Sequence, residues 1–323
     1  MIAARIGLAP ARCRDEVFGG GQPCDLRPKH MAHRAKLLRL PAHGKLLVAS
    51  DLHGNYRDFL HIAARFEQLG PDAHLLFLGD LIHGPYLSPS EWPTDAPFGH
   101  PLCGRPYRDE SPAVLLGLAL LSDRYPGHVH VLLGNHEHAH IGGPRTALFA
   151  RDDAAALEQR LGIEASLHMA SSFRSLPLVA RAPCGLFFSH AAPAAELLGP
   201  EDFESIDYRR YIAPRRFDRN RGHKSLKPGE LPAKLLGQLL WEHVLPPFKA
   251  QTLLSLVSAN IAVYGHTIIP TGYQTIGDEQ IVLSSSFGMD DQSKTMLLLN
   301  LEEHYFSVEN LRSGIELVPL YPA

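Results

Sequence analysis

Five short apolar runs in this chain each end in a side chain that can hold a metal ion. Leu46–Ala49 runs through Ser50 into Asp51, with His53 and Gly54 close behind. Leu75–Leu78 ends in Gly79 and Asp80, and Val129–Leu133 ends in Gly134, Asn135, His136 and Glu137. Leu186–Ser189 ends in His190, and Ile261–Tyr264 ends in Gly265 and His266. A short apolar run bounded by glycine reads as a buried strand. A carboxylate and an imidazole at the mouth of such a strand are costly to bury without a partner. A metal ion satisfies both, and in sheet-based enzymes ligands gather where strands end.

The order of elements points to an α/β fold. After Asn55, the spacing of Phe59, Ile62, Ala63 and Phe66 predicts an amphipathic helix closed by Gly70 and Pro71. A second helix is expected over Pro112–Tyr125 and a third over Thr146–Leu161, while Ser166–Leu178 stays ambiguous. Leu178–His190 reads as two strands around Pro183-Cys184-Gly185, and Leu231–Leu256 as helix interrupted at Pro246-Pro247. Strands are expected at IAVYGH, GYQTI, QIVLSSS, TMLLLNLE and HYFSVEN. Lys36–Val48 reads as a hairpin turning at Pro41–Gly44. Strands alternating with helices, then strands alone, imply mixed sheets with helices outside. Residues 1–35, with Gly19–Gly21 and no period, are expected to form a poorly ordered extension, and 36–323 one catalytic domain.

Bulk composition excludes several classes. A net charge of −3 gives no strong pull toward nucleic acid or membrane. No apolar run nears the ~20 residues a membrane helix needs, and the start lacks a convincing signal peptide. Cys13, Cys24, Cys103 and Cys184 lie far apart without C-x-x-C, which suits a reducing, cytoplasmic setting.

Asp, His, Asp, Asn, His and His form an oxygen and nitrogen donor set. It suits Mn, Fe or Zn better than calcium. Six ligands are too many for one open metal but right for two sharing a carboxylate. Two metals ~3.5–4 Å apart can hold a hydroxide and stabilise both ends of an in-line displacement.

The ordered blocks SDLHG, GDLIHGP, GNHE, SH and GH resemble the calcineurin-like metallophosphoesterase superfamily. They are most similar to its PPP-type protein serine/threonine phosphatases and to symmetrical diadenosine-tetraphosphate hydrolase. The resemblance implies a four-layer αββα sandwich with mixed sheets. By it, Asp51 and His53 hold the first metal, Asp80 bridges, and Asn135, His190 and His266 complete the second. Asn135 also touches phosphate, and His136 is the general acid for the leaving alkoxide.

Two departures stand out. The family block Gly-Asp-x-x-Asp-Arg-Gly reads here Gly79-Asp80-Leu81-Ile82-His83-Gly84-Pro85. His83 stands where an aspartate orients the acid histidine, and a phosphate-gripping arginine is missing. His83 is read as a relay, a substituted orienter or a solvent-facing residue. A second family arginine, expected between Trp241 and His266, is also absent. Arg108 and Arg221, each on an irregular stretch, are the expected replacements. His243 and Glu242 are expected on a helix surface, and His138 and His140 in an outer position or on the surface.

His136-Glu137-His138-Ala139-His140 also satisfies H-E-x-x-H, the zinc-protease signature. That chemistry needs a continuous helix, and Gly142-Gly143-Pro144 leaves little room for one. The expected function is hydrolysis of phosphomonoesters, first of phosphoserine or phosphothreonine in proteins. A dinucleoside polyphosphate or other nucleotide hydrolase is the alternative, and a degenerate metal-holding regulatory protein a third reading.

Overall fold

The computed structural model describes residues 35–86, 105–192, 199–212, 231–243 and 245–321. Arg221, almost all of the expected N-terminal extension and most of the loop after Gly84 lie outside them.

The described chain runs β1 (Leu37–Arg39), β2 (Lys45–Ala49), α1 (Tyr56–Glu67), β3 (Ala73–Phe77), α2 (Ser111–Arg124), β4 (Val129–Val131) and α3 (Asn135–His138). It continues α4 (Asp153–Leu161), α5 (Ile163–Arg174), β5 (Val179–Ala182), β6 (Leu186–Ser189), α6 (Leu231–Trp241), α7 (Pro247–Val257) and β7 (Ile261–Tyr264). It ends β8 (Tyr273–Ile276), β9 (Gln280–Leu283), β10 (Thr295–Asn300) and β11 (Leu317–Pro319).

Two mixed sheets result. One has six strands in the order β1-β5-β6-β7-β9-β8, the other five in the order β11-β10-β2-β3-β4. Strand alternation builds the layers. Leu46 and Val48 of β2 join Leu76, Phe188, Val263 and Ile281 in one core, which draws on both sheets. Their neighbours Leu47 and Ala49 face the other way and join Phe59 and Ile62 of α1 and Val114 of α2. Leu235 and Leu239 of α6 and Leu253 of α7 fall in the same outer cluster as Phe187 and Ala262. The helices thus cover the outer sheet faces, as the αββα expectation holds.

The hairpin expected over 36–48 does not form. β1 pairs in parallel with β5, while β2 pairs with β3 and β10 in the other sheet. Pro41–Gly44 carries the chain across from one sheet to the other. Period-two patterning marks a strand but does not choose its partner. The third helix is also shorter than expected. The Asp153 carboxylate accepts the N–H groups of Leu148, Phe149 and Ala150 and so holds that segment in a turn outside α4. The ambiguous segment is helix α5. HYFSVEN forms only a short 3-10 turn at Val308–Asn310, and β11 was not expected.

Candidate active site at the strand ends

All five expected ligand runs deliver their residues to one place. Asp51, His53, Asp80, Asn135, His136 and His266 line one cavity of about 360 Å³. His190 lies fully buried behind it, its Nε2 2.8 Å from Asn135 Oδ1 and 3.4 Å from Asp80 Oδ2. Asp51, Asp80 and Asn135 follow strands of the five-stranded sheet, and His190 and His266 follow strands of the six-stranded one.

The backbone bends sharply to do this. Asp51, His53, Asp80, His83 and His266 have φ of 54°, 45°, 52°, 64° and 64°. Residues with a Cβ seldom occupy this region, and each costs of order 1–3 kcal/mol. The conformation turns the chain sharply in the loops that follow the strands. Gly134 is required for a related reason: a Cβ there would overlap the Asp80 carboxylate. Gly265 likewise leaves room for Asp51, whose carboxylate accepts the His266 N–H at 3.1 Å. The Gly-Asp, Gly-Asn-His-Glu and Gly-His pattern is therefore one of close approach between loops.

Asp80 sits at the centre. The ligand atoms of His53, Asp80 and His136 lie within 4.8 Å of one another, and so do those of Asp80, His190 and His266. One carboxylate thus belongs to two clusters. The backbone N–H of His136 donates to its other oxygen, Oδ1, at 3.0 Å. His190 fixes its own ring through Nδ1, 3.0 Å from the Leu78 carbonyl, which leaves Nε2 toward the cavity.

Electrostatics agree with a cation site. Burial acts to raise Asp80, but His190, His136 and His53 outweigh it and hold the carboxyl well below the usual range. Burial pushes Asp51 up to about 6. Burial opposes charge on His190 as well, yet Asp80 and Asp51 outweigh it and raise the imidazole to about 9. The carboxylates thus draw a proton onto the nearest imidazole. His266 Nε2 is buried with no hydrogen-bond partner. An orphaned imidazole nitrogen beside a shared carboxylate fits a metal ligand, and the all-oxygen-and-nitrogen donor set fits Mn, Fe or Zn.

Several expectations need revision in detail. Arg108 is exposed and does not line the cavity. Arg145 does, with Thr146, Leu148, Trp241, His243, Ile268 and Phe287. Its guanidinium pairs with Glu158 at 3.3 Å and Asp152 at 3.5 Å. Nothing in the local sequence marks Arg145, since it precedes no strand. His243 is no helix-surface residue: its ring stacks on His266 at 4.9 Å, and its Nδ1 lies 2.9 Å from Thr267 Oγ1. His83 and His140 are buried too. His136 Nδ1 and His140 Nε2 sit against opposite nitrogens of the His83 ring, each at 2.9 Å. They therefore do not chelate one ion as H-E-x-x-H histidines would.

The calcineurin-like phosphoesterase family model matches residues 44–270. The chain belongs to that family. Solved structures of two phosphatases share its fold. A serine/threonine phosphatase from Saccharomyces cerevisiae, similar to human phosphatase PP5, is 18% identical with a TM-score of 0.52, covering 88% of this chain and 76% of its own. A cold-active protein-tyrosine phosphatase from the psychrophile Shewanella is also 18% identical with a TM-score of 0.52, covering 83% and 78%. At such identity these likenesses concern the fold. No curated protein matches the sequence. The family uses a binuclear metal centre, and the two clusters around Asp80 supply His and Asp groups for one. Among the described residues, no helix is long and apolar enough to cross a membrane.

Proposed function

We propose that this cavity hydrolyses phosphomonoesters at a two-metal centre, with phosphoserine or phosphothreonine in proteins as the first substrate class. The observation that carries the reading is the sharing of Asp80 between two ligand clusters. In this reading Asp51 and His53 hold one ion, Asn135, His190 and His266 the other, and Asp80 both. The ions supply neutralisation of phosphate charge and a water acidic enough to act near neutral pH.

The protein's own groups do the rest. With Oδ1 facing His190, the Asn135 amide keeps its N–H groups to donate toward a phosphate oxygen. Arg145, half exposed beside the cavity, supplies the cationic fork that the family block lacks. His136, on the cavity wall, protonates the departing alkoxide. Trp241, Ile268 and Phe287 offer apolar surface for the organic part of the ester. The same aromatic lining supports a second reading, in which a nucleotide base of a dinucleoside polyphosphate stacks there.

Metal analysis joined to a substrate panel tests this. The panel holds an aryl phosphate, a phosphoserine peptide, a phosphotyrosine peptide and diadenosine tetraphosphate. Two ions per chain with turnover of the phosphoserine peptide are expected. Preference for diadenosine tetraphosphate replaces the first reading by the second. Metal bound without any turnover makes the chain a metal-holding regulatory protein instead.

A further inference from the structure

Among the described residues the His136 ring makes no hydrogen bond to a carboxylate. Asp80 accepts its backbone N–H, and Asp153, whose carboxylate lies near the His136 and His83 rings, accepts the N–H groups of Leu148, Phe149 and Ala150. His136 Nδ1 lies 2.9 Å from His83 Nδ1. His83 Nε2 lies 2.9 Å from His140 Nε2, and His140 Nδ1 lies 2.8 Å from Glu158 Oε1. Three imidazoles in series therefore join the cavity to one carboxylate. His83 and His140 are buried, and Glu158 is about one-third exposed.

We propose that Glu158 and His140, acting through His83, are positioning residues for the general acid His136, doing at a distance what a neighbouring carboxylate would do directly. The inference rests on the phosphoesterase reading above.

The argument is one of hydrogen-bond sense. A carboxylate only accepts, so His140 must donate from Nδ1. A neutral imidazole that donates from one nitrogen accepts at the other. His140 Nε2 then accepts from His83 Nε2, and His83 Nδ1 accepts from His136 Nδ1. Each tautomer follows from the one before. The outcome is a His136 that donates inward from Nδ1 and keeps Nε2 free of the chain, toward the reacting oxygen. Burial opposes charge on both His83 and His140, consistent with neutral links. Without Glu158 the outer end of the series has no fixed acceptor. The only other polar group within hydrogen-bonding distance of His136 Nδ1 among the described residues is the Thr146 hydroxyl, at a longer 3.4 Å, which can donate as well as accept.

Two backbone contacts hold His83 for the task. Its N–H donates to Ser111 Oγ at 2.9 Å. Its carbonyl lies 3.0 Å from His53 Nδ1, so it orients a proposed metal ligand as well. Its φ of 64° is one that aspartate adopts more readily than most residues. Glu158 also pairs with Arg145, so one carboxylate anchors both the phosphate-facing arginine and the acid.

Two measurements test the inference. Long-range proton–nitrogen correlation spectra of the metal-free protein should show His136 protonated at Nδ1, His83 at Nε2 and His140 at Nδ1. A His136 bare at Nδ1 overturns the proposal. In the metal-loaded enzyme with an aryl phosphate, His140→Phe should lower kcat about tenfold, a part of the 10²–10⁴ that a general acid supplies. KM should stay within about twofold, since His140 does not face the substrate. In a His83→Asp background, where a carboxylate adjoins His136 directly, His140→Phe should cost nothing further. An equal loss in both backgrounds marks a merely structural residue and overturns the proposal. Should His140→Phe not fold, His140→Leu reads the same kcat coupling and leaves the Glu158–Arg145 pair in place. Absence of turnover by the wild-type chain overturns the phosphoesterase reading instead, and the spectra still decide the hydrogen-bond sense.

Discussion

Glu137 Oε2 lies 2.9 Å from the backbone nitrogen of Asp80, and Oε1 of the same carboxylate accepts the N–H of Leu81 at 2.8 Å. Gly134 N–H donates to it as well, at 3.1 Å. A fully buried side chain thus clamps the loop that presents Asp80 to the loop that presents Asn135 and His136. Each N–H stranded by its loss costs about 1–3 kcal/mol. Glu137→Ala should therefore lower unfolding free energy by at least about 3 kcal/mol, read by chemical denaturation. An unchanged midpoint would show the clamp to be unimportant.

The shared carboxylate predicts a metal phenotype. Asp80→Asn should reduce bound metal below two ions per chain by elemental analysis and lower kcat by about a hundredfold or more. Chelation of the wild-type protein should lower its melting temperature, because an ion at 100 times its Kd stabilises the native state by about 2.7 kcal/mol. A melting curve indifferent to chelator would count against metal ligation.

Arg145 and Arg108 separate cleanly. A charge-assisted hydrogen bond to phosphate contributes about 1.5–3 kcal/mol. Arg145→Ala should raise KM about tenfold or more, with Arg108→Ala close to wild type. The reverse ranking in steady-state kinetics would move the phosphate contact back to the exposed loop.

Far from the cavity, His74 of β3 stacks on His128 at 4.5 Å and on His130 at 5.7 Å. Burial lowers its imidazole to about 4, with His128 and His43 adding to the effect and Asp72 opposing it. The unfolded chain, at about 6.5, takes up this proton first as pH falls. Stability from His74 is therefore complete above about 6.5 and is lost on acidification until about 4. Its size is on the order of 1–2 kcal/mol after allowance for solvent screening. His74→Phe should flatten that part of a stability-against-pH curve, and an unaltered slope would exclude the assignment.

Lys294, 2% exposed, places Nζ 2.8 Å from Asp58 Oδ2 and 2.9 Å from Asp291 Oδ1. Asp58 is fully buried. Removing one member of such a pair leaves a buried charge and costs about 3–5 kcal/mol. Lys294→Met should show that loss in denaturant, and adding Asp58→Asn should recover part of it. Independent, additive losses would show that the two charges do not interact.

Much of the site was legible because its elements are local. An apolar run, a glycine and a ligand-type residue all fall within a few positions at Asp51, Asp80, Asn135, His190 and His266. What could not be read was whatever depends on neighbours distant in sequence. β1 and β2 looked like a hairpin because a turn signal lies between them, yet β1 pairs with β5 in one sheet and β2 lies between β3 and β10 in the other. Arg145 and His243 carry no local signature, and only the folded chain brings them to the cavity. His140 looked peripheral because its role depends on His83, contributed by a different loop.

The linker at Pro41–Gly44 passes the chain from one sheet to the other between its first two strands. The proposed ligands are divided the same way: Asp51, His53, Asp80 and Asn135 follow strands of one sheet, and His190 and His266 follow strands of the other. A half-assembled molecule therefore owns no complete cage. Cations captured at this seam would fasten the two layers together, and a chain that docked them out of register would be recognisable by its inability to retain metal.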